Sequence, residues 1–297
     1  MRDNSLILSK IEKKENFSFS KHTTYGLGGT AKIAYYPKNQ EESTVVFDYV
    51  RENYENFVIL GKGSNVLVSD KPYNGAVICT KFLNNINYFD GIISCGSGTT
   101  VNQLMKFCIS KGLSGLEYLA GIPASMGGLA CMNGGIGERH IENNISNVTI
   151  YDGEMCNFLS EKCIFGNKHS IMRDIKCLVL DINLKVNNAD SDIVKKNIEQ
   201  QLYSRKILPS GKSCGCVFKN PTGYSAGKLI DNAGLKGMSC GAAEISSEHA
   251  NFIINKGCSS SDIYNLIKEV KRKVFENCGI MLEEEVIYIG EFNGTYS

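Results

Sequence analysis

Short apolar runs separated by glycine and polar turns fill residues 21–188. "FVILG" (57–61), "VLVSD" (66–70), "AVICT" (76–80), "IISCG" (92–96) and "VTIYD" (148–152) are short and rich in β-branched side chains, which predicts strands. "CLVLDINLKV" alternates most cleanly. Leu178, Leu180, Ile182, Leu184 and Val186 fall on one face, and Asp181, Asn183 and Lys185 on the other. Helical spacing joins Val101, Leu104, Met105, Cys108 and Ile109, with Gly112 placed to end the helix. A stronger helical period joins Ile263, Leu266, Ile267, Val270 and Val274, with Asp262 as its cap and Gly279 as its stop. The first 20 residues are polar with one short helical pattern and read as an arm on the body. "NNADSD" (187–192) reads as a linker. The mixture predicts an α+β chain: an arm over 1–20, one domain over 21–188 and another over 189–297.

Composition narrows what such a chain can do. It has 32 Lys+Arg against 31 Asp+Glu, so no net field gathers nucleic acid or an anionic membrane. The N-terminus lacks the apolar core of a secretory signal, and no apolar run reaches the ~18–20 residues that span a bilayer. A cytoplasmic protein is expected. Its 12 cysteines then read as free thiols, mostly small hydrophobes inside apolar runs. Paired C-x₂-C knuckles are missing, so no metal site is expected.

Two glycine-rich segments carry candidate chemistry. Gly61-Lys62-Gly63-Ser64-Asn65 stands between two predicted strands. Its glycines allow positive φ, its amides can form an anion nest, and Ser64, Asn65 and Lys62 add donors and charge. A hairpin turn is the plainer reading. "GLEYLAGIPASMGGLACMNGGIG" (115–137) is denser still and reads as a loop that lets a ligand approach. Together they favour a dinucleotide held along its pyrophosphate. "PSGKSCGCVFKNP" (209–221) sets Cys214 and Cys216 two residues apart, which is open to a metal, disulfide, redox or proton-delivery reading.

These segments, in order, resemble a known family. "LGKGSNVLVSD", "GLSGLEYLAGIPASMGG…MNGG", "CGCVFKNP…AGKLIDNAGLKGMSCGAAEISSEHANFIIN" and "LEEEVIYIG" are similar to the UDP-N-acetylenolpyruvoylglucosamine reductases, from about Lys21 to Gly290. The resemblance implies a vanillyl-alcohol-oxidase-type FAD-binding domain in two subdomains, about 21–80 and 81–188, and a C-terminal α+β substrate domain. It implies non-covalent FAD, NADPH as electron donor, and a small UDP-sugar whose enolpyruvyl ether is reduced in peptidoglycan precursor synthesis. A monomer without nucleic-acid partner or membrane insertion goes with this. A divergent flavoprotein paralogue, an oxidase or a thiol redox sensor, is the alternative.

Site residues follow from the resemblance. FAD falls to Gly61, Lys62, Gly63, Ser64 and Asn65, to Gly121, Ile122, Pro123, Ala124, Ser125, Gly127 and Gly128, and to Asn133. The family's proton-donating serine corresponds to Cys216. A thiol, with pKa ~8.5, is mostly protonated at neutral pH and is a stronger acid than an alcohol, so the role survives the change. The catalytic glutamate maps to Glu285. The catalytic arginine follows a tyrosine in the family, and here "FGNKHS" puts Asn167 and Lys168 in those places. Lysine keeps the charge but loses the planar fork that suits a carboxylate. His169 beside it reads as a helper or a surface histidine. "NGGIGERH" (133–140) also departs from the family's "N-A-G-A-Y-G". Lys219, Asn220 and Lys228 are the substrate-binding candidates, and Lys228 reads equally well as a helix-surface ion pair.

Overall fold

The computed structural model describes residues 4–292 and the backbone of 295–296. Contacts divide the chain into two units: Met1–Lys14, Ile33–Lys62 and Gly75–Arg205 form the first, and Glu15–Lys32, Gly63–Asn74 and Lys206–Ser297 the second.

Two sheets organise the first unit. The larger is antiparallel, in the order Met155–Leu159, Ile145–Tyr151, Leu178–Lys185, Ile92–Gly96, Ile86–Phe89. Its core holds Ile93, Leu104, Leu119, Ile145, Ile182 and Leu184. The first unit's part of the smaller sheet includes Phe57–Leu60, which pairs in parallel with residues 76–79. Ile33, Tyr35, Ala76 and Ile78 from it share a core with Val46, Phe47 and Val50 of the Gln40–Asn53 helix.

Every strand expected from the pattern is present. The cleanest one behaves differently from its simple alternation. A register shift opposite Thr149 and Ile150 pairs Ile150 with Val179 and Thr149 with Asp181. One extra residue reverses the facing of everything before it. Leu178 and Leu180 therefore pack with Phe47, while Val179, Ile182 and Leu184 pack in the other core. One strand seals two cores.

Helix ends follow the expected chemistry with one change. Thr100 and Gln103 form a capping box on Val101–Lys111, and Gly112 ends it at φ 62°. On Ser260–Cys278 the cap is Ser259. Asp262 is its capping-box partner and accepts from the Ser259 amide at 2.9 Å. Gly279 ends that helix at φ 72°. "NNADSD" is ordered rather than a linker. Asn187–Asn188 pairs with Leu113–Ser114, and Asp190 caps Ser191–Ser204. That helix buries Val194 and Ile198 in the first unit's core, so residues 189–205 contact the first unit rather than the C-terminal domain expected from sequence.

In the second unit the Ser260–Cys278 helix packs on the antiparallel strands Ser239–Cys240 and Ala243–Ile245 of a three-stranded sheet completed by Ile253–Asn255. A parallel pair, Val66–Val68 with Ile287–Ile289, contributes Leu67 to the same core as Val217, Phe218, Leu266 and Val270. Among the described residues no helix is long and apolar enough to cross a membrane.

Burial pushes the thiols of Cys79, Cys108, Cys177 and Cys214 up to about 12. An unfolded thiol ionises near ~8.5. The folded chain thus keeps protons that the unfolded chain releases. That stabilisation is complete below the unfolded value and is lost as pH rises through the folded one. The melting temperature should fall steadily between about pH 9 and pH 11 in a calorimetric series. A flat profile over that range would mean these thiols ionise freely in the fold.

Candidate active site

Cys216, Val217 and Phe218 run between two other segments of the second unit. On one side Cys216 bridges Phe252, and the Val217 amide donates to the Asn251 carbonyl at 2.9 Å. On the other, Phe218 bridges Glu284, and the Glu285 and Val286 amides both donate to the Val217 carbonyl, at 2.8 and 3.3 Å. Cys216 and Glu285, 69 residues apart in sequence by the numbering, are thereby held next to one residue, Val217.

The three successive glutamates separate by partner. Glu283 pairs with Lys219, and Glu284 with Lys271 at 2.7 Å. Glu285 acts on the Cys214 thiol. Burial first pushes the Cys214 thiol up, the Tyr25 hydroxyl offsets part of the rise, and the Glu285 carboxylate and Cys216 add to it. Strand alternation puts Glu283 and Glu285 on one face, and the Glu285 and Val286 amides share the Val217 carbonyl. The Asn65 amide Nδ2 donates to the Glu285 carbonyl at 2.9 Å, and the Ile287 amide to the Asn65 carbonyl at 3.0 Å. Asn65 thus locks the parallel strand pair at Glu285, and its amide hydrogens point to that carbonyl. A phosphate-donor role for its side chain has to share them.

The substrate candidates are near Cys216 in chain and differ in freedom. Lys219 is mostly covered and engaged by Glu283. The Asn220 Oδ1 accepts from the Ala226 amide at 2.9 Å, beside the Ser225 cap of Ala226–Asn232. Lys228 is exposed on that helix.

In the first unit the cofactor candidates converge. A Cβ built on Gly61 would lie 2.2 Å from the Ser125 Oγ and 3.8 Å from the Thr80 Oγ1. One on Gly127 would lie 2.8 Å from the Ser97 Cβ. At Gly127 the neighbour is fixed and only glycine fits, while at Gly61 a side chain would displace the Ser125 hydroxyl. The glycine-dense stretch is also less of a loop than its composition suggests, because Met126–Met132 is a helix capped by Ser125. Its first amides are engaged: Met126 to Thr99 and Gly127 to Ser97 at 2.8 Å, and Gly128 to the Ser125 Oγ at 3.4 Å. The Ser97 hydroxyl is buried without a protein partner. Close main chain, exposed Gly61 and Lys62 and an unpartnered hydroxyl fit a flavin pyrophosphate. Gly63 and Ser64 belong to the second unit, where Gly63 takes φ +65° and packs on the His22 carbonyl.

Lys168 sits in a tight turn of the first unit. The Gly166 amide donates to the His169 carbonyl at 3.0 Å, and Lys168 takes φ 56°. Arg173 Nη1 donates to the Lys168 carbonyl at 3.0 Å, and His169 pairs with Asp174. Asn133 is buried; its Nδ2 donates to the Gly166 carbonyl at 3.1 Å and its Oδ1 accepts from Glu142. Its side chain therefore supports the Lys168 turn.

Three contributors escaped the sequence reading. Asn251 binds both sides of Phe218. The turn around Thr23 and Thr24 packs on Gly63, with the Thr24 amide donating to the Gly63 carbonyl at 3.0 Å. Ser97 underlies Gly127. The only sequence signal was a third concentration of glycine, Gly26, Gly28 and Gly29, beside those threonines.

Residues 207–289 match the model of the UDP-N-acetylenolpyruvoylglucosamine reductase C-terminal domain, and residues 31–155 match an FAD-binding domain. The chain is 35% identical to the reductase of that name from Prochlorococcus marinus over 95% of its own length and all of the relative's. It is 35% identical to that of Chlamydia felis over 96% of this chain and 97% of the relative. The crystal structure of the Thermus caldophilus reductase superposes with a TM-score of 0.78 at 33% identity, covering 94% of this chain and 98% of that one. A berberine bridge enzyme variant superposes at 0.50 with 14% identity over 64% of this chain and 44% of that one, which speaks for the oxidase-type FAD fold alone.

Proposed function

The chain belongs to the UDP-N-acetylenolpyruvoylglucosamine reductase family, and on that premise we propose which of its residues carry the reaction. The protein is an FAD-dependent oxidoreductase that uses NADPH to reduce the enolpyruvyl ether of UDP-N-acetylglucosamine to UDP-N-acetylmuramate for peptidoglycan. The oxidase and thiol-sensor alternatives are not favoured, because relatives of that one name match along nearly the whole chain. We further read it as a cytoplasmic monomer of two domains, an FAD-binding one and a C-terminal substrate-binding one.

One observation supports the site above the rest: Cys216 and Glu285 are both tied to Val217. When bound, FAD supplies the hydride that NADPH provides. Addition at the enolpyruvyl β-carbon leaves negative charge on the α-carbon and its carboxylate. Cys216 gives its proton to the α-carbon. Glu285 is the second acid–base group, at the substrate carboxylate where charge builds. Lys168 takes the part of the family's arginine toward that charge, and Lys219, Asn220 and Lys228 serve the UDP-sugar. Gly61, Lys62, Gly63 and Ser64 and the 121–128 segment hold FAD, with Asn65 and Asn133 supporting them.

The test mixes the purified yellow protein with NADPH and then with the enolpyruvyl nucleotide while flavin absorbance is followed. Bleaching by NADPH and recovery on nucleotide addition are expected. Acid precipitation should release the flavin, and flavin left in the pellet would exclude non-covalent binding. Lys168→Arg should preserve or raise turnover, and Lys168→Ala should lower it more than about tenfold, the scale of one charged contact to a developing anion. An alanine variant with unchanged kcat removes Lys168 from the mechanism.

A further inference from the structure

Asn251 is 3% exposed, with its carboxamide satisfied at both ends by a single residue. Its Oδ1 accepts from the Phe218 amide at 2.9 Å, and its Nδ2 donates to the Phe218 carbonyl at 2.8 Å. Its own carbonyl accepts from the Val217 amide at 2.9 Å. A side-chain carboxamide carries the same donor and acceptor as a peptide, so Asn251 adds a rung that no neighbouring backbone provides. These three bonds fall on the two residues after Cys216.

On the other side of Cys216 stands Gly215, at φ +81° with open space where a Cβ would be. The Val217 carbonyl is held by the Glu285 amide, so the whole stretch lies between Asn251 and Glu285. Val217 and Phe218 are consecutive and both buried, so a one-residue slip would still bury an apolar side chain, whereas the Asn251 carboxamide bonds fit one register only.

We propose that Asn251 is the positioning residue for the Cys216 thiol: its carboxamide fixes the register of Val217 and Phe218 and so aims Cys216 beside Glu285. This rests on Cys216 being the proton donor.

The experiment is a double-mutant cycle on the holoenzyme with Asn251→Ala, Cys216→Ala and both together. Each is followed by stopped flow through flavin reduction by NADPH and flavin reoxidation by the enolpyruvyl nucleotide. Asn251→Ala should slow reoxidation on the order of 10²-fold, as misplacing a reacting group by about 1 Å does, with reduction nearly unchanged. In the Cys216→Ala background the same change should add almost nothing. Alkylation of Cys216 by iodoacetamide, followed by peptide mass, should change severalfold in Asn251→Ala, with exposed Cys278 unchanged. Should the alanine variant fail to fold, Asn251→Asp keeps the volume and the acceptor for Phe218 while losing the donor, and enters the same cycle. Normal reoxidation in Cys216→Ala alone would sink the reading of the donor. If that variant is slow, three results would overturn the role of Asn251: equal slowing of both half-reactions, effects that multiply in the double variant, or an unchanged Cys216 alkylation rate.

Discussion

Replacing Cys216 with alanine is expected to slow reoxidation of the flavin by the enolpyruvyl nucleotide ~10²–10⁴-fold, the usual cost of losing a positioned acid. Reduction of the flavin by NADPH should stay within about twofold, because that step needs no proton at carbon. An unprotonated α-carbanion returns its hydride or stalls, so the loss appears in one half-reaction only. Cys216→Ser should keep substantial activity, since a hydroxyl fills the place in the family. Cys214→Ala should be kinetically quiet. Its thiol is buried in the second unit's core, which pushes its pKa up to about 12, so the substitution shows in stability instead. Stopped-flow traces of the two half-reactions decide the matter. Equal slowing of both would point to a flavin-binding defect, and normal reoxidation would leave Cys216 without a catalytic part.

Glu285→Ala should lower the oxidative half-reaction by about 10³-fold, comparable to removing a donor aimed at developing charge. Glu285→Gln keeps a hydrogen-bond donor without a transferable proton, so it should fall between alanine and wild type. Glu283→Gln and Glu284→Gln should each change turnover less than about threefold. Their carboxylates are occupied by Lys219 and Lys271, and partly exposed ion pairs contribute little. Steady-state kcat on the four variants is sufficient. A Glu284→Gln loss as large as that of Glu285→Gln would move the catalytic carboxylate to the helix-facing side.

Much of the fold was legible because it depends on local chemistry. The strands from Phe57 to Leu184 declared themselves by apolar runs, and Gly112 and Gly279 by the left-handed turn that only glycine enters without strain. The Met126–Met132 helix was not legible. Glycine-rich composition argues for loop, and the close approach of Ser97, which leaves no room for a side chain at Gly127, is visible only in the fold. The split facing of Leu178–Lys185 was hidden for a related reason, since a bulge depends on the partner strand's register.

The site divides the same way. The residue types at Cys216, Glu285 and the Gly61–Asn65 turn, with their order along the chain, were present in the sequence, as was the lysine in the arginine's place. Spatial pairing was not. Which of three adjacent glutamates acts on the Cys214 thiol, that Asn65 spends its amide on the Glu285 carbonyl, and that Asn133 braces the Lys168 turn all depend on partners 33 to 220 positions away. Residue identity sets what a side chain can donate or accept. Only the folded chain, by bringing remote backbone groups within 3 Å or so, determines which of those capacities are already spent and which remain for the substrate.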